Sequence, residues 1–357
     1  MDLVTVYKGK KIFVTGHTGF KGSWLITWLQ QLAAIVKGYA LAPENEYDLY
    51  NAIKGNELCE SVIADIRDKE RLKAELLSFQ PDFIFHLAAQ PLVRLSYEQP
   101  TETFAINAQG TAHLLDAIRF LQKPCVAVMI TTDKVYENLE TGHHYKETDR
   151  LGGHDPYSAS KACAELVIDS YRKSFFNPQQ YKLHYKSISV ARAGNVIGGG
   201  DWAKDRIIPD ILRALSEGKP IKLRNPSSVR PWQHVLDPLH GYLVLAAHQY
   251  KEPGGFTSAY NFGPNPDNNL TVEALTQETI RVWRDGYYIV EDDIQSPHEA
   301  GILYLDSKKV KRELNWSPSL NAIDSIDKTI NWYKNSFKGV LSALELVKQD
   351  INAFTSK

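Results

Sequence analysis

The stretch Lys11-Ile12-Phe13-Val14-Thr15-Gly16-His17-Thr18-Gly19-Phe20-Lys21-Gly22 decides the fold class of this 357-residue chain. Its apolar, β-branched first half predicts a buried strand over Lys11–Thr15, and the glycines that follow, spaced G-x-x-G-x-x-G, predict a tight turn that opens a helix over Gly22–Gln31. Such a turn lets a pyrophosphate approach backbone N–H groups at the positive end of a helix dipole. The alternative interpretation is a tight strand-to-helix turn that binds no ligand.

From residue 11 to about residue 198, β-branched runs alternate with helical patterns, which predicts βαβ units and a parallel sheet. Further strands are predicted at Ile35–Leu41, Ser61–Asp65, Asp82–Ala88, Val126–Thr132 and Ser187–Ala193. Further helices are predicted at Lys69–Phe79, Ile106–Leu121 and Tyr157–Phe175. This order favours the α/β class, with a Rossmann-type doubly wound parallel sheet.

The regular alternation stops after Gly198-Gly199-Gly200, and we expect a smaller C-terminal lobe to follow. Its predicted elements are a helix at Ile207–Leu215, a strand at Ile221–Arg224, a helix at Pro238–His248, a strand at Ser258–Phe262, a helix at Val272–Trp283 and a helix near Ile323–Tyr333. Residues 1–198 would form a dinucleotide-binding domain, to which segments near 235–262 return. Residues 199–234 and 263–345 would form the ligand-binding lobe.

The composition excludes several classes of protein. The 41 Lys and Arg residues nearly balance the 42 Asp and Glu residues, leaving a net charge of −1, which argues against binding nucleic acid or membrane through charge. Cys59, Cys125 and Cys163 are too far apart for a metal cluster and odd in number, so we expect no metal and a reducing, cytoplasmic setting. No apolar stretch is long enough for a signal peptide or a membrane span.

Two short runs carry residues suited to chemistry. Thr131-Thr132-Asp133-Lys134-Val135-Tyr136 ends a predicted strand, and Tyr157-Ser158-Ala159-Ser160-Lys161 opens a predicted helix. Because residues four apart share a helix face, Lys161 can sit beneath Tyr157. A tyrosine that titrates at about 10 in water needs a neighbouring cation to act as a base near pH 7. The runs therefore indicate a hydride-transfer site, and the alternative is a surface helix pair.

In this order the motifs resemble the extended short-chain dehydrogenase/reductase family, from about Lys11 to Trp316. The resemblance implies an NAD cofactor, a lobe that clasps a nucleotide sugar, and Thr132, Tyr157 and Lys161 as the catalytic Ser/Thr, Tyr and Lys. The cofactor contacts that it implies are Gly16, His17, Thr18, Gly19, Phe20, Lys21, Gly22, Asp65, Ile66, Leu87, Ala88, Ala89, Asn107, Tyr157 and Lys161.

The second predicted strand ends in Gly38-Tyr39-Ala40-Leu41-Ala42 and lacks the acid that usually holds the ribose hydroxyls of NAD. No Arg or Lys lies between Leu41 and Ile53 to hold an NADP phosphate, so NAD is favoured. Asp65 is expected either to meet the adenine amino group or to cap the helix that follows Arg67-Asp68-Lys69.

The residues after the catalytic threonine indicate the subgroup. Epimerases of the family generally carry small residues there, whereas its nucleotide-sugar 4,6-dehydratases carry an acid that protonates a departing C6 hydroxyl. This chain has Asp133, whose structural alternative is a cap at the strand end. Many of these dehydratases have Glu at the position after the acid, whereas this chain has Lys134 there. This pattern resembles the branch that acts on CDP-glucose. Lys134 could take the C5 proton only with a depressed pKa, and an electrostatic role toward the C5 carbanion is the alternative.

The resemblance implies a redox-neutral reaction in three steps. Tyr157 takes the C4 hydroxyl proton as hydride leaves C4 for NAD. Lys134 or a water then removes the C5 proton while Asp133 protonates the C6 hydroxyl, and water leaves. Hydride returns to C6 and C5 is reprotonated, which gives CDP-4-keto-6-deoxyglucose from CDP-glucose.

The resemblance also implies substrate contacts and an assembly. The substrate contacts are Gln90, Arg94, Asn195, Arg206, Arg230 and His298, each of which could instead be a structural or surface residue. The apolar faces on Ala105–Leu121 and Tyr157–Phe175 exceed what one sheet face needs, which predicts a homodimer. The resemblance implies that these helices pair as a four-helix bundle, with a tetramer also possible. A pathway that feeds surface polysaccharide is the family expectation.

Two classes of rival function remain open from the sequence. One is a 4-epimerase or another 4,6-dehydratase that acts on a dTDP-, GDP- or UDP-sugar. The other is a non-catalytic, NAD-binding regulatory module on the same fold, although such modules typically lose the Tyr157 and Lys161 pair.

Overall fold

The computed structural model describes residues 1–265, 268–291 and 302–356. In chain order the strands are β1 (Lys11–Thr15), β2 (Ile35–Ala40), β3 (Glu60–Ile63), β4 (Phe83–His86), β5 (Cys125–Thr132), β6 (His144–Tyr145), β7 (Lys186–Ala193), β8 (Val196–Ile197), β9 (Ile221–Leu223), β10 (Val229–Arg230), β11 (Gln233–His234), β12 (Ala259–Phe262), β13 (Leu270–Thr271), β14 (Tyr288–Val290) and β15 (Tyr304–Leu305).

The helices, again in chain order, are α1 (Leu3–Tyr7), α2 (Phe20–Gln31), α3 (Leu49–Ala52), α4 (Lys69–Phe79), α5 (Val93–Glu98), α6 (Pro100–Phe104), α7 (Gly110–Ile118), α8 (Pro156–Ser174), α9 (Tyr181–His184), α10 (Ile207–Ser216), α11 (Leu236–Lys251), α12 (Val272–Trp283), α13 (Lys308–Leu314), α14 (Ala322–Lys338) and α15 (Ala343–Thr355). A π-helical turn at Ala105–Gln109 joins α6 to α7, and a 3₁₀ turn at Asp133–Val135 follows β5.

The main sheet has the strand order β12-β7-β5-β4-β1-β2-β3, and every pairing in it is parallel. The order reverses between β1 and β4, as it does in doubly wound dinucleotide-binding sheets. The predicted α/β class and Rossmann-type sheet are confirmed. Ligands bind such sheets at the carboxyl ends of the strands near this reversal, where β1, β4 and β5 end side by side.

The sheet has a hydrophobic core on each face, because successive strand residues point to opposite sides. Ile12 and Val14 of β1 belong to one buried cluster with helices such as α2 and α11, whereas Phe13 belongs to a second cluster with α4, α7 and α8. All eight residues of β5 and all eight of β7 are buried, as strands covered by helices on both faces require.

Most predicted elements are present with shifted ends. The third strand begins at Glu60 and ends at Ile63, and the fourth covers only Phe83–His86. The helix predicted at Ile106–Leu121 is divided into the π-helical turn and α7, which ends at Ile118. The sequence interpretation missed α15, whose N-terminus carries a reciprocal capping box between Ser342 and Glu345.

Beyond β7 the chain builds short two-stranded sheets, in which β8 pairs with β11, β9 with β14 and β10 with β13. The chain also returns to the main sheet, where β12 pairs with β7. Within the described part of the chain, the helices fall short of the length and apolar character that a bilayer span requires.

Candidate active site

The turn between β1 and α2 is shaped for close backbone approach. Gly16 has a φ of +75°, and a Cβ there would lie 2.6 Å from the backbone nitrogen of Ala88. A Cβ on Gly22 would lie 2.1 Å from the carbonyl oxygen of Gly16. By contrast, a Cβ on Gly19 would meet a single described atom, the Gly16 carbonyl oxygen at 3.5 Å, so this side of the loop is open.

The helix N-terminus in this turn fits a pyrophosphate. Gly19 is the N-cap of α2 and provides no side-chain cap for the first N–H groups of the helix. Those donors and the helix dipole suit an anion, and the side of Gly19 left without a Cβ gives it room. Phe20 follows directly and packs toward Gly198, where an added Cβ would lie 3.0 Å from its ring.

Hydrogen bonds tie the rim of the loop to the chain just after β2 and to β3. The Thr18 hydroxyl donates to the Leu41 carbonyl at 2.8 Å, and the His17 Nε2 lies 2.7 Å from the Ser61 hydroxyl. The His17 ring lies so close to β2 that a Cβ on Gly38 would approach it to 2.3 Å. Burial lowers the pKa of His17 to about 4, so the ring is neutral at pH 7.

Asp65 lies just after β3 and binds Arg67, not the helix. Its carboxylate accepts from the Arg67 backbone N–H at 2.8 Å and forms an ion pair with the Arg67 guanidinium at 2.6 Å. The N-cap of α4 is Asp68, which accepts from Arg71 N–H at 3.1 Å. The helix-cap alternative for Asp65 is therefore wrong, and its contact with adenine stays a prediction.

The end of β4 is fixed by a buried histidine. The His86 Nδ1 lies 2.7 Å from the Thr15 hydroxyl, and its Nε2 lies 3.1 Å from the Thr111 hydroxyl. Burial, with the charge of Lys161 nearby, lowers the pKa of His86 to about 3. Leu87, Ala88 and Ala89 follow as a partly buried segment, and the Ala88 N–H donates to the Thr15 hydroxyl at 3.2 Å.

The acid-bearing strand end adopts a 3₁₀ turn. The Thr132 hydroxyl donates to Asp133 Oδ1 at 2.9 Å and accepts from the Lys134 backbone N–H at 3.3 Å. Thr132 is thus the cap of this turn, which leaves the Asp133 carboxylate outside the capping role that was its structural alternative. Asp133 is only 3% exposed, whereas Lys134 is partly buried.

The helix α8 brings Tyr157 to the same place. Asp155 caps it by accepting from Ser158 N–H at 2.9 Å, and the Tyr157 N–H donates to the Ser96 hydroxyl at 3.1 Å. Burial raises the pKa of the Tyr157 phenol to about 12; Asp133 acts in the same direction, while Thr132 opposes it.

Lys161 lies one turn further along α8 and is buried. Its ammonium group donates to the Ile130 carbonyl at 3.4 Å. Burial lowers the pKa of Lys161 to about 8, and the carboxylate of Glu165 opposes that decrease. The ammonium form therefore predominates at pH 7 and supplies a positive charge within the site.

A buried ion pair that sequence reasoning missed anchors this helix. Glu165 binds the guanidinium of Arg192, with Nε to Oε1 at 2.8 Å, and accepts from the Thr131 hydroxyl at 2.6 Å. The guanidinium also donates to the Tyr136 hydroxyl at 2.6 Å. Burial alone would lower the pKa of Arg192, but its pair with Glu165 raises it. The spacing of Glu165, four residues after Lys161, was the signal available in the sequence.

Asn107 and Gln90 are engaged within the protein. The Asn107 amide donates to the Gln90 carbonyl at 3.1 Å and to the Ser160 hydroxyl at 2.8 Å, and it accepts from the Gln90 N–H at 2.9 Å. The Gln90 amide donates to the Thr103 hydroxyl at 2.9 Å. These bonds tie the segment after β4 to α8, and direct contacts of either side chain with a ligand stay predictions.

The chain after β8 adds charged groups to the mouth of the site. Arg206 forms an ion pair with Asp201 at 2.8 Å. Burial, together with the charges of Arg206 and Lys161, lowers the pKa of Lys21 to about 7, while Asp133 and Asp201 oppose the decrease. The glycine loop, the end of β5, α8 and the later segment therefore converge on one place.

The other predicted substrate contacts lie around it. Arg94 of α5 faces Asp205 at 3.6 Å, and Arg230 donates to the Val229 carbonyl at 3.1 Å. Asn195 directly precedes β8, and its carbonyl accepts from the Gln233 N–H at 3.1 Å. His298 lies outside the described residues.

Comparison with known proteins shows the family of this chain. The family model for GDP-mannose 4,6-dehydratase matches residues 13–329. The chain belongs to this family. The CDP-glucose 4,6-dehydratase of Salmonella typhimurium is 47% identical to this chain over 93% of this chain and 93% of its own length. The dTDP-glucose 4,6-dehydratase of Neisseria gonorrhoeae is 29% identical over 91% of this chain and 96% of its own.

Solved structures of other proteins share the fold of this chain. The dTDP-glucose 4,6-dehydratase of Streptomyces venezuelae, with NAD and TYD bound, superposes with a TM-score of 0.75 at 24% identity, covering 94% of this chain and 99% of its own. The UDP-glucose 4-epimerase of Thermus thermophilus, with NAD, gives a TM-score of 0.76 at 23% identity, covering 93% and 100%. At these identities the likeness concerns the fold, which dehydratases and epimerases share.

Proposed function

We propose that the protein is an NAD-dependent 4,6-dehydratase that converts CDP-glucose into CDP-4-keto-6-deoxyglucose. One observation carries the proposal: the buried carboxylate of Asp133 lies beside Thr132 and acts electrostatically on Tyr157, so an acid accompanies the tyrosine and lysine of an oxidising site. The choice of CDP-glucose rests on 47% identity to a CDP-glucose 4,6-dehydratase along nearly the whole of both chains.

NAD would lie along the carboxyl edge of the sheet, with its pyrophosphate at the N-terminus of α2. Gly16 and Gly22 allow the close approach, and Gly19 leaves the space open. When bound, NAD would supply the acceptor for hydride from C4 of the sugar and the donor of hydride to C6, and C5 would regain a proton. Asp65 would meet the adenine, and Ile66, packed against Gly110, would form the wall beside it.

Tyr157 would take the proton of the C4 hydroxyl. With its pKa at about 12, the phenol holds its proton at pH 7, so it becomes a base only when positive charge faces it. The ammonium group of Lys161 would supply that charge from one turn further along the same helix, and Arg206 already lowers the tyrosine pKa. Thr132 would hold the same hydroxyl in place.

Asp133 would protonate the C6 hydroxyl as the C6–O bond breaks and water leaves. Hydroxide is a poor leaving group, and general acid catalysis of this kind contributes on the order of 10²–10⁴ in rate. The C5 proton would go to Lys134 or to a water that Lys134 positions. Lys134 is partly buried in the same 3₁₀ turn as Asp133, so both groups address neighbouring carbons of one sugar.

Cations at the mouth of the site would hold the nucleotide. Asn195 and Arg230 would contact the diphosphate, Arg206 would supply a further positive charge for it, and Arg94 would lie near the sugar. Residues 199–234 and 263–345 would act together as the nucleotide-sugar lobe, and Gln90 would hold the loop that faces the sugar.

A homodimer would form through a four-helix bundle built from the 105–121 and 157–175 regions of two copies, with a tetramer as the larger possibility. On these regions Leu166 is 61% exposed and Phe175 is 42% exposed, although both are large and apolar. Leu166→Asp should give a species of one 40.3 kDa chain in light scattering, and an unchanged dimer would contradict the bundle.

We propose a cytoplasmic enzyme whose product feeds a dideoxysugar route to surface polysaccharide such as O-antigen.

The test of the function is incubation of the purified protein with NAD and CDP-glucose, with dTDP-, GDP- and UDP-glucose in parallel. Mass spectrometry should detect loss of one water from CDP-glucose alone, together with the alkaline absorbance of a 4-keto sugar. Reaction with a different nucleotide sugar would keep the chemistry and overturn the base. Epimerised product without loss of water, or binding of NAD without turnover, would overturn the dehydratase.

A further inference from the structure

The carboxylate of Asp133 lies against a residue that has no side chain. In the parallel pairing of β5 with β7, Thr132 is opposite Ala193, so the next residues along, Asp133 and Gly194, leave their strands side by side. A Cβ on Gly194 would lie 2.8 Å from Asp133 Oδ2 and 3.4 Å from its Cγ. The first distance is well inside the roughly 3.5–4.0 Å optimum for non-bonded heavy atoms.

Space, not backbone conformation, explains the glycine. Gly194 is absent from the described glycines with positive φ, so its backbone suits any residue. Across the same gap, the Cγ of Pro231 would lie 3.6 Å from an added Cβ. Asp133 is 3% exposed and is held on its other oxygen by the Thr132 hydroxyl at 2.9 Å. The carboxylate therefore has little room to retreat.

We propose that Gly194 is a positioning residue for the acid: its missing side chain creates the slot in which the Asp133 carboxylate is held for proton delivery to the C6 hydroxyl. The inference rests on the proposed dehydratase function. Any side chain at position 194 would displace Oδ2, turn the carboxyl group away from Thr132 and leave the oxidation at C4 untouched. The elimination of water would then become the slow step.

The experiment compares the parent with Gly194→Ala, Asp133→Asn and the double variant, in single turnovers with CDP-glucose. In Gly194→Ala, NADH absorbance should rise at the parental rate and then persist, because C4 is oxidised but water is not lost. Product formation should fall about 10²-fold, the usual cost of misplacing a reacting group by about 1 Å. A residue that only supported the fold would slow both phases together.

The double variant separates the two residues' effects. If Gly194→Ala acts through the acid, the double variant should eliminate water no more slowly than Asp133→Asn alone, whereas independent effects would multiply. Gly254→Ala is the matched control, since a Cβ there meets a single described atom, the Pro178 carbonyl oxygen at 3.5 Å, and it should behave as the parent. Multiplied losses, or parental elimination by Gly194→Ala, would overturn the proposal.

Two further measurements keep the inference testable if Gly194→Ala does not fold or if CDP-glucose is not the substrate. Crystal structures of the parent and Gly194→Ala should show the 2.9 Å contact between Thr132 Oγ1 and Asp133 Oδ1 only in the parent, whether or not CDP-glucose is the substrate. A retained contact would overturn the proposal. Should Gly194→Ala fail to fold, Asp133→Glu keeps the acid but pushes one methylene into the same slot. It should stall elimination equally, and parental elimination would count against the slot.

Discussion

Replacing Glu165 with glutamine should separate the stability of α8 from its chemistry. The carboxylate is 4% exposed and its partner Arg192 is 3% exposed, so the pair lies in the interior. The isosteric amide leaves the guanidinium buried without its counter-charge. Removing one member of a buried pair costs about 3–5 kcal/mol, because the remaining charge is neither hydrated nor compensated. Glu165→Gln should lose stability of that order.

The same substitution should alter the pH dependence of activity. The pKa of Lys161 is already lowered to about 8 by burial, and Glu165 is the carboxylate that opposes the decrease. Without it the pKa of Lys161 falls further, so the ammonium is lost at lower pH. The basic limb of the pH profile should therefore move toward neutrality. No shift of the acidic limb is expected from Arg192, because its guanidinium stays charged over the whole acidic range.

Asp169→Asn provides the matched control for both measurements. Asp169 lies on α8 one turn beyond Glu165, and it pairs with Arg172 and Lys173 at 2.6 Å, but its side chain is 36% exposed. Exposed pairs are worth about 0–1 kcal/mol. Urea unfolding and pH–rate profiles of the two variants give the comparison. If Glu165→Gln is destabilised no more than Asp169→Asn and its basic limb stays in place, the anchoring argument is refuted.

Three further outcomes follow from the site and its surroundings. Tyr157→Phe should lower turnover, followed as loss of water from the nucleotide sugar, by about 10²–10⁴; parental turnover would contradict its role as the base. Gly16→Ala should lose NAD binding and melt at lower temperature, because the residue has a φ of +75° and its Cβ would lie 2.6 Å from Ala88 N; an unchanged melting curve would contradict this. His86 and His234 each have a pKa lowered by burial to about 3 from 6.5. The unfolded chain therefore binds protons first, and stability should fall as pH drops from 6.5 toward 3 by up to about 1.4 kcal/mol per unit for each histidine. Urea midpoints at several pH values, with His234→Asn showing a shallower slope, would check it.

Local signals predicted the sheet well, because each strand could be recognised from its own residues. The glycine spacing from Gly16 to Gly22 and the β-branched runs needed no knowledge of partners. By the same reasoning α15 was within reach, since Ser342 and Glu345 have the spacing of a capping box. The short helices α5 and α6 were not, because helices of five or six residues are stabilised by tertiary packing.

The site residues differ in the same way: some were predictable from local sequence, and others depend on contacts between distant parts of the chain. Tyr157 and Lys161 were recognisable because their spacing is local. The bond between Glu165 and Arg192 joins residues 27 apart, and the approach of Gly194 to Asp133 depends on the pairing of β5 with β7. Such contacts follow from the register of the assembled sheet, so no single stretch of sequence announces them.

The division of labour between sheet and lobe has an evolutionary consequence. Thr132, Tyr157 and Lys161 are all held by β5 and α8, which Glu165 fastens to the sheet. Arg206 and Arg230, by contrast, come from segments beyond β8. If these segments hold the nucleotide as proposed, substitutions in them would change which nucleotide is bound while the reacting groups keep their mutual distances. Related proteins built this way would come to act on different nucleotide sugars through changes in the lobe, while the catalytic residues and their chemistry stay the same.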